Sequence, residues 1–308
     1  MPTPMITEQW PRFVLPIIRK EWDQSMNAVN SPLMSIMGVE SSTSSVEYSQ
    51  GVGTFGLVPE YNSATAEASG SAIEYDSFSP LYEATFTHKE YAKGVEVERK
   101  LWDDNRTGQI RRKAQSLGHS FGTTRAYHAS SILNNAFATV TGFDSVYLCS
   151  ASHPTNSVDS TAISNLGTTA LSYAAVTATL LAGKNMNDDR GYPMPSIYDI
   201  LYIPADLEST AYEIINALQK PGAADYNGNF VGSRGLQVVV DPYLTDANNW
   251  FMIDSAQARM HALWFNRVLP EITMDPSSDY NLVARYRGYM RYSFGWDDFR
   301  WVYGHNVT

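Results

Sequence analysis

From Asn105 to about Phe137 the apolar residues recur at helical spacing. Ile110, Ala114, Leu117 and Phe121 form one run, then Ala129, Ile132, Leu133 and Ala136. That period predicts one long helix, with Gly118 and Gly122 weakening its middle and marking a kink. Such a helix constrains the fold more than any other feature, because it needs a partner surface along most of its face.

The remaining segments must supply that surface. Phe13, Val14, Leu15, Ile17, Ile18 and Trp22 make an apolar patch of one or two helical turns, which Pro11 and Pro16 are expected to limit. Residues 83–98 alternate apolar and polar positions, the period of an exposed strand pair. Residues 59–80 are rich in Ser, Ala, Glu, Tyr and Gly and read as a long, poorly buried hairpin or loop. Helices are predicted over 171–186, with Ser172 as N-cap, and over 205–220, stopped by Pro221-Gly222. Short buried strands are predicted at 201–203, 236–240 and 250–253. Two long strands are predicted over 282–306, with a break near Gly295.

Composition narrows the function. The chain has 308 residues, 44% hydrophobic, enough for a sizeable core. Tyr, Phe and Trp number 19, 12 and 7, side chains favoured in cores and interfaces. There are 22 basic and 32 acidic residues, a net charge of −10, which argues against gripping phosphate backbones. The one cysteine, Cys149, excludes an intramolecular disulfide and fits a reducing compartment. The start of the chain lacks the pattern of a signal peptide, and no stretch approaches the roughly 18 apolar residues of a spanning helix.

The chemical motifs are weak. Gly51-Val-Gly-Thr-Phe-Gly56 spells the dinucleotide fingerprint, but the polar run before it and Pro59 after it deny the strand and helix that chemistry needs. Cys149 and His153 sit four apart, yet Pro154 turns His153 from helical geometry, so a buried structural cysteine is the preferred reading. The six histidines show no ligand spacing. Asp103-Asp104, Asp188-Asp189 and Asp297-Asp298 read as solvated loop acids, and Arg111-Arg-Lys113 as a solvated helix face. No catalytic, cofactor-binding or metal-binding residue is expected.

The order of elements resembles the major capsid protein of tailed bacteriophages, of the Hong Kong 97-type fold and the Mu-like major head subunit family. Residues 147–154 with Ser164-Asn165, then 170–181, 201–211, 238–246 with Asn249-Trp-Phe251, and 291–302 carry the likeness. It spans about residues 100–306; residues 1–99 match in layout only. The resemblance implies an α+β fold with an N-terminal arm (1–44) and an extended β-hairpin loop (45–100). It also implies a peripheral domain with the spine helix (101–189 and 281–308) and a mixed α/β axial domain (190–280). It further implies self-assembly into hexamers and pentamers of a shell enclosing double-stranded DNA without sequence-specific binding. The virion capsid, assembled in the host bacterial cytoplasm, is the implied location.

The first hundred residues hold little contiguous apolar sequence against an ordering cost of about 1–2 kcal/mol per residue, so neighbours are expected to bury them. Tyr61, Tyr75, Phe78, Tyr82 and Phe86 are the candidate contacts between subunits. A separate scaffolding protein, a portal and a decoration protein are the further partners considered, and no membrane. Lys89 and Lys93 are not expected to cross-link. The alternatives are an encapsulin-like shell and a carbohydrate-active hydrolase.

Overall fold

The computed structural model describes residues 10–52, 80–138, 140, 142, 144–154, 162–188, 191–219, 228–275 and 282–307. Its centre is the predicted long helix, α3 (Thr107–Asn134), which runs without interruption. The first helix, α1 (Trp10–Asn27), lies against it. At 18 residues α1 is far longer than its prolines suggested. Pro11 falls in the first turn, where no N–H bond is lost, and Pro16 points to solvent on the outer face. The buried stripe Trp10, Val14, Ile18, Trp22 repeats every four residues and faces the core. Trp22 meets Phe121 edge-on at 5.6 Å.

Gly118 and Gly122 have a different role from the one expected. A Cβ at Gly118 would stand 2.3 Å from the Trp22 carbonyl oxygen, and one at Gly122 2.7 Å from that of Met26. The glycines let two backbones approach.

Beneath the helices lies a four-stranded sheet in the order β1 (Gly38–Ser41), β9 (Ala262–Met274), β10 (Val283–Trp296), β4 (Lys89–Glu98). In β10, Ala284, Tyr286, Met290 and Tyr292 are buried, the even parity of the alternating sequence. The Tyr286 hydroxyl donates to the Pro11 carbonyl at 2.7 Å and ties α1 to this sheet. Thus residues 10–41 of the expected arm belong to the body: α1 is in the main core and β1 runs parallel to β9. The expected arm looked too poor in apolar sequence because its buried residues are spaced along a helix instead of clustered.

The second sheet has the order β5 (Leu166–Gly167), β11 (Val302–His305), β8 (Trp250–Ile253), β6 (Ile200–Ile203), β7 (Gln237–Val240). It is covered on both faces. Ile200, Tyr202, Phe251 and Ile253 join the main core, while Leu201, Ile203, Trp250 and Met252 join a second one. That is why β6 and β8 read as continuous apolar runs. Helices α4 (Tyr173–Lys184), α5 (Glu208–Asn216) and α6 (Phe230–Ser233) contribute Val176, Leu180, Ala211, Ile214 and Val231 to the second core. Ser172 caps α4 as expected, accepting from the Ala175 amide at 3.2 Å. α5 stops before Pro221-Gly222 because the Asn229 amide donates to the Ile214 and Ala217 carbonyls at 2.7 and 2.9 Å. Among the described residues the remaining α-helices are α2 (Arg99–Asp103) before α3 and α7 (Ser255–His261) before β9, with 3-10 turns at Leu33–Ser35 and Ala205–Leu207.

Candidate functional site

The alternating stretch 83–98 does not pair with itself. β3 (Pro80–Thr87) pairs with β2 (Val46–Val52) as an antiparallel hairpin, and β4 pairs with β10. One strand line changes partners at His88. This point roots the extended segment in the body.

Three contacts fix the root. The buried His88 ring lies between Ser42 Oγ, 3.1 Å from Nε2, and Ser293 Oγ, 3.0 Å from Nδ1. Burial, with Arg291 nearby, pushes its pKa down and keeps the ring neutral, so it can donate to one serine and accept from the other. Ser42 also bonds the Glu47 carboxylate. Ser49 Oγ donates to Asp297 Oδ2 at 2.6 Å, and His261 Nδ1 lies 2.9 Å from Asp297 Oδ1. That second bond holds the His261 pKa up. Phe86 packs against Phe265 with ring centroids 5.2 Å apart and planes tilted by 58°, over Gly295, where any Cβ would meet its ring. A cleft of roughly 310 Å³ separates Glu83–Phe86 from Ser131, Ile132 and Asn135 at the end of α3.

The structure places the candidate contact residues as follows. Phe86 is covered inside its own subunit with Ala84, Leu263 and Phe265, so its ring is not offered to a neighbour. Tyr61, Tyr75 and Phe78 lie outside the described residues, as does the side chain of Tyr82, whose backbone is in β3. Lys93 Nζ rests 3.2 Å from Ser120 Oγ on α3. Exposed apolar side chains include Tyr212 on α5, 67% exposed, which periodicity did not single out, and Leu218, 95% exposed, which periodicity put on one apolar face with Leu207, Ala211 and Ile214. Leu218 leaves that face because α5 ends at Asn216.

The Tyr147–Pro154 segment builds an internal knot. His153 is buried and stacked on Phe299 with 3.6 Å between ring centroids. Its Nδ1 is 2.6 Å from Asp144 Oδ2 and its Nε2 3.0 Å from Asn165 Oδ1. The Asn165 amide donates to the carbonyls of Leu148, Phe299 and Val302, and its oxygen accepts from the Ser150 N–H. This joins Leu148, Ser150 and His153 through Asn165 to Phe299 and Val302 at the start of β11. Both His153 nitrogens are engaged, so the ring is no base for Cys149, whose thiol pKa burial drives up.

Three acids of these pairs, Asp188, Asp297 and Asp298, have structural roles. Asp188 is buried and accepts from the Tyr192 N–H at 2.7 Å; Asp189 lies outside the described residues. Asp298 binds Arg300 at 2.7 Å, and Asp297 anchors the hairpin root, so neither is the solvated acid expected. Asp103, paired with Arg99 at 3.3 Å, and Asp104 are exposed. Of the Gly51–Gly56 hexapeptide, Gly51 and Val52 end the antiparallel strand β2 and the rest lies outside the described residues. Among the described residues no cluster of three His, Cys, Asp or Glu could hold a metal, and no helix is long and apolar enough to cross a membrane.

Solved structures share the fold at low identity. One, described as the procapsid of bacteriophage JBD30 computed in I4 symmetry, aligns with TM-score 0.56 at 15% identity over 98% of this chain and 76% of that one. A virus-like particle from Pyrococcus furiosus aligns with TM-score 0.56 at 9% identity over 94% and 97%. The capsid of cyanophage P-SCSP1u aligns with TM-score 0.52 at 14% identity over 89% and 86%. No curated protein matches the chain. The family model described as phage capsid protein matches residues 82–304, from the hairpin root to the last strand. The chain therefore belongs to the phage capsid protein family.

Proposed function

We infer that this chain is the structural subunit that builds the icosahedral shell of a phage head. The observation that carries the reading is the family match over residues 82–304 on a chain whose fold is that of capsid proteins. The virion capsid is its place of action, and its work is assembly. Five- and six-membered capsomers follow from the need to close such a shell.

The parts divide as follows. The segment 45–100 is the loop that overlaps a neighbour, rooted at His88, with β4 belonging to the body. Helix α3 is the spine of the peripheral unit together with α1 and the four-stranded sheet, which takes in β9. The second sheet with α4, α5 and α6 is the axial unit, and Tyr212 and Leu218 are its candidate contacts around the capsomer centre. Tyr61, Tyr75, Phe78 and Tyr82 remain candidate contacts of the loop.

A scaffolding protein, a portal and double-stranded DNA complete the set of partners, with assembly in the host bacterial cytoplasm. The net charge of −10 suits a wall that holds DNA without gripping it. DNA retention by assembled shells tests this: weak retention at low salt is expected, and tight, salt-sensitive binding contradicts it. An encapsulin-like shell is the second reading, favoured by the Pyrococcus furiosus particle's equal TM-score. Particles produced in infection separate the two: nuclease-protected DNA inside them is the expected result, and a DNA-free protein cargo supports the second.

A further inference from the structure

The hydrogen bonds at the hairpin root have a fixed direction. The Glu47 carboxylate on β2 can only accept, so the Ser42 hydroxyl donates to it in preference to the Ser44 carbonyl, 3.4 Å away. With its one proton spent, Ser42 Oγ accepts from the Ser44 N–H at 3.2 Å and from His88 Nε2 at 3.1 Å. The neutral ring therefore carries its proton on Nε2. Its Nδ1 accepts from the buried Ser293 hydroxyl at 3.0 Å. The donors run from Ser293 through His88 and Ser42 to Glu47, that is, from β10 of the body to β2 of the hairpin.

An added proton has no place in this chain. An imidazolium donates from both nitrogens, so its Nδ1–H would meet a hydroxyl whose own proton already points at it. The surroundings also disfavour the charge. Burial acts most strongly against it, followed by Arg291 on β10, with Arg267 on β9 adding to them and Glu47 opposing. The Nε atoms of Arg267 and Arg291 are buried with no hydrogen-bond partner among the described residues. On β4, Lys89 follows His88 and Glu90 lies 3.9 Å from Arg291. On β1, Glu40 pairs across from Phe265.

A second tether responds to acid in the opposite sense. Ser49 on β2 donates to one oxygen of Asp297, and His261 bonds the other. That bond raises the His261 pKa, so acid keeps this tether charged and closed. The apolar cluster around Phe86 contains no titratable group.

We propose that His88 is a proton-operated latch on the hairpin. Neutral, it bolts β2 and β3 to β10; protonated, it leaves the gap between the two serines, and the hairpin pivots about the Ser49–Asp297 tether. In the open root the ring stands in water and titrates near its ordinary 6.5, whereas the latched ring takes a proton only at lower pH. As pH falls below 6.5 the open form therefore gains by up to about tenfold per pH unit, until the latched ring also titrates. The latch belongs to the single chain, so its failure and the failure of the shell reading are separate results.

Hydrogen exchange of the full-length chain, kept dispersed at pH values of about 7.5 and 5.5, tests this. Rates are corrected for the intrinsic effect of pH on amide exchange, and β6 and β8 report global opening. Protection of residues 42–49 and 84–88 is expected to fall about three- to tenfold more than that of β6 and β8. His88→Gln keeps a donor and an acceptor without titrating, and is expected to remove the extra fall. Ser293→Ala breaks the chain without acid, and is expected to lower hairpin protection already at the higher pH and to blunt its response to acid. Circular dichroism shows that the variants are folded, and either one suffices for the comparison. Hairpin protection that only follows β6 and β8 overturns the proposal, as does an extra fall that persists in His88→Gln. So does a Ser293→Ala hairpin as well protected as the parent's at the higher pH.

Discussion

At Gly118 the space a side chain would take is filled by the backbone of α1. The Gly118→Ala variant is expected to lose about 1–3 kcal/mol, because the added methyl meets the Trp22 carbonyl and neither helix can yield without disturbing the main core. Gly108, in the same helix with nothing within 4 Å, is the control: Gly108→Ala is expected to gain up to about 1 kcal/mol. Chemical denaturation of both variants checks the pair. Asn165→Ala strands three buried carbonyls and the Ser150 N–H, and is expected to cost about 2–4 kcal/mol by the same assay. Acid also acts through single residues. His305, stacked on Trp250 at 3.8 Å, is pushed by burial from 6.5 to about 4, and burial lowers His88 and His128 too. As pH falls from 6.5 towards 4, unfolded His305 takes a proton that the folded ring refuses, so stability is lost over that window, by at most about 3 kcal/mol. His261, held up by Asp297, opposes this, since its contribution is full below 6.5 and fades as pH rises through its folded value. The denaturation midpoint is therefore expected to be lower at pH 5 than at pH 7, and His305→Phe to shrink the difference. The sequence showed these glycines as weak helix positions; their purpose was hidden because the carbonyls above them belong to a distant helix.

Among the elements, the β2–β3 hairpin is the one whose removal should separate folding from assembly. The body does not need it: the α1–α3 contact, both sheets and both large cores lie elsewhere, and only the Ala84–Phe86–Leu263–Phe265 cluster would lose members. Replacing residues 53–79 by a short turn, with the root Ser49–Asp297 and His88 contacts kept, is expected to leave a folded chain. Its melting temperature should change by no more than about 5 °C, but it should form no closed shell. Circular dichroism and sedimentation read the two effects separately. Periodicity revealed α3, α4, β6, β8 and β10, because each carries a stripe or run that only its own geometry explains. It cut α1 short, because Pro16 costs little on a solvent face, and it overran α5, whose end is set by Asn229 from a later segment. It also misread β3 and β4 as partners, since alternation reports a half-buried strand and says nothing about which strand it pairs with.

For the whole molecule, two cores share one sheet, and helix α3 of the main core is tied to it. Ser130 and Tyr202 both donate to the buried Asp241 carboxylate at 2.5 Å, which pins α3 to the second sheet. That unity explains why boundaries drawn from sequence run through sheets: β9, assigned to the axial side, pairs along its length with β10 on the other. The family and the element order were legible because the His153–Asn165 knot and the β6 to β8 core leave compact residue signatures. The assembly surfaces were not, because an exposed face has no period to betray its partner, and Phe86, chosen as a contact, is satisfied inside its own chain. The account stands or falls on whether the folded chain joins others into a closed wall. Electron microscopy of the purified full-length chain tests this most directly: rings of five and six subunits and curved or closed shells are the result expected. A uniform population of single folded chains at every concentration and salt would contradict it.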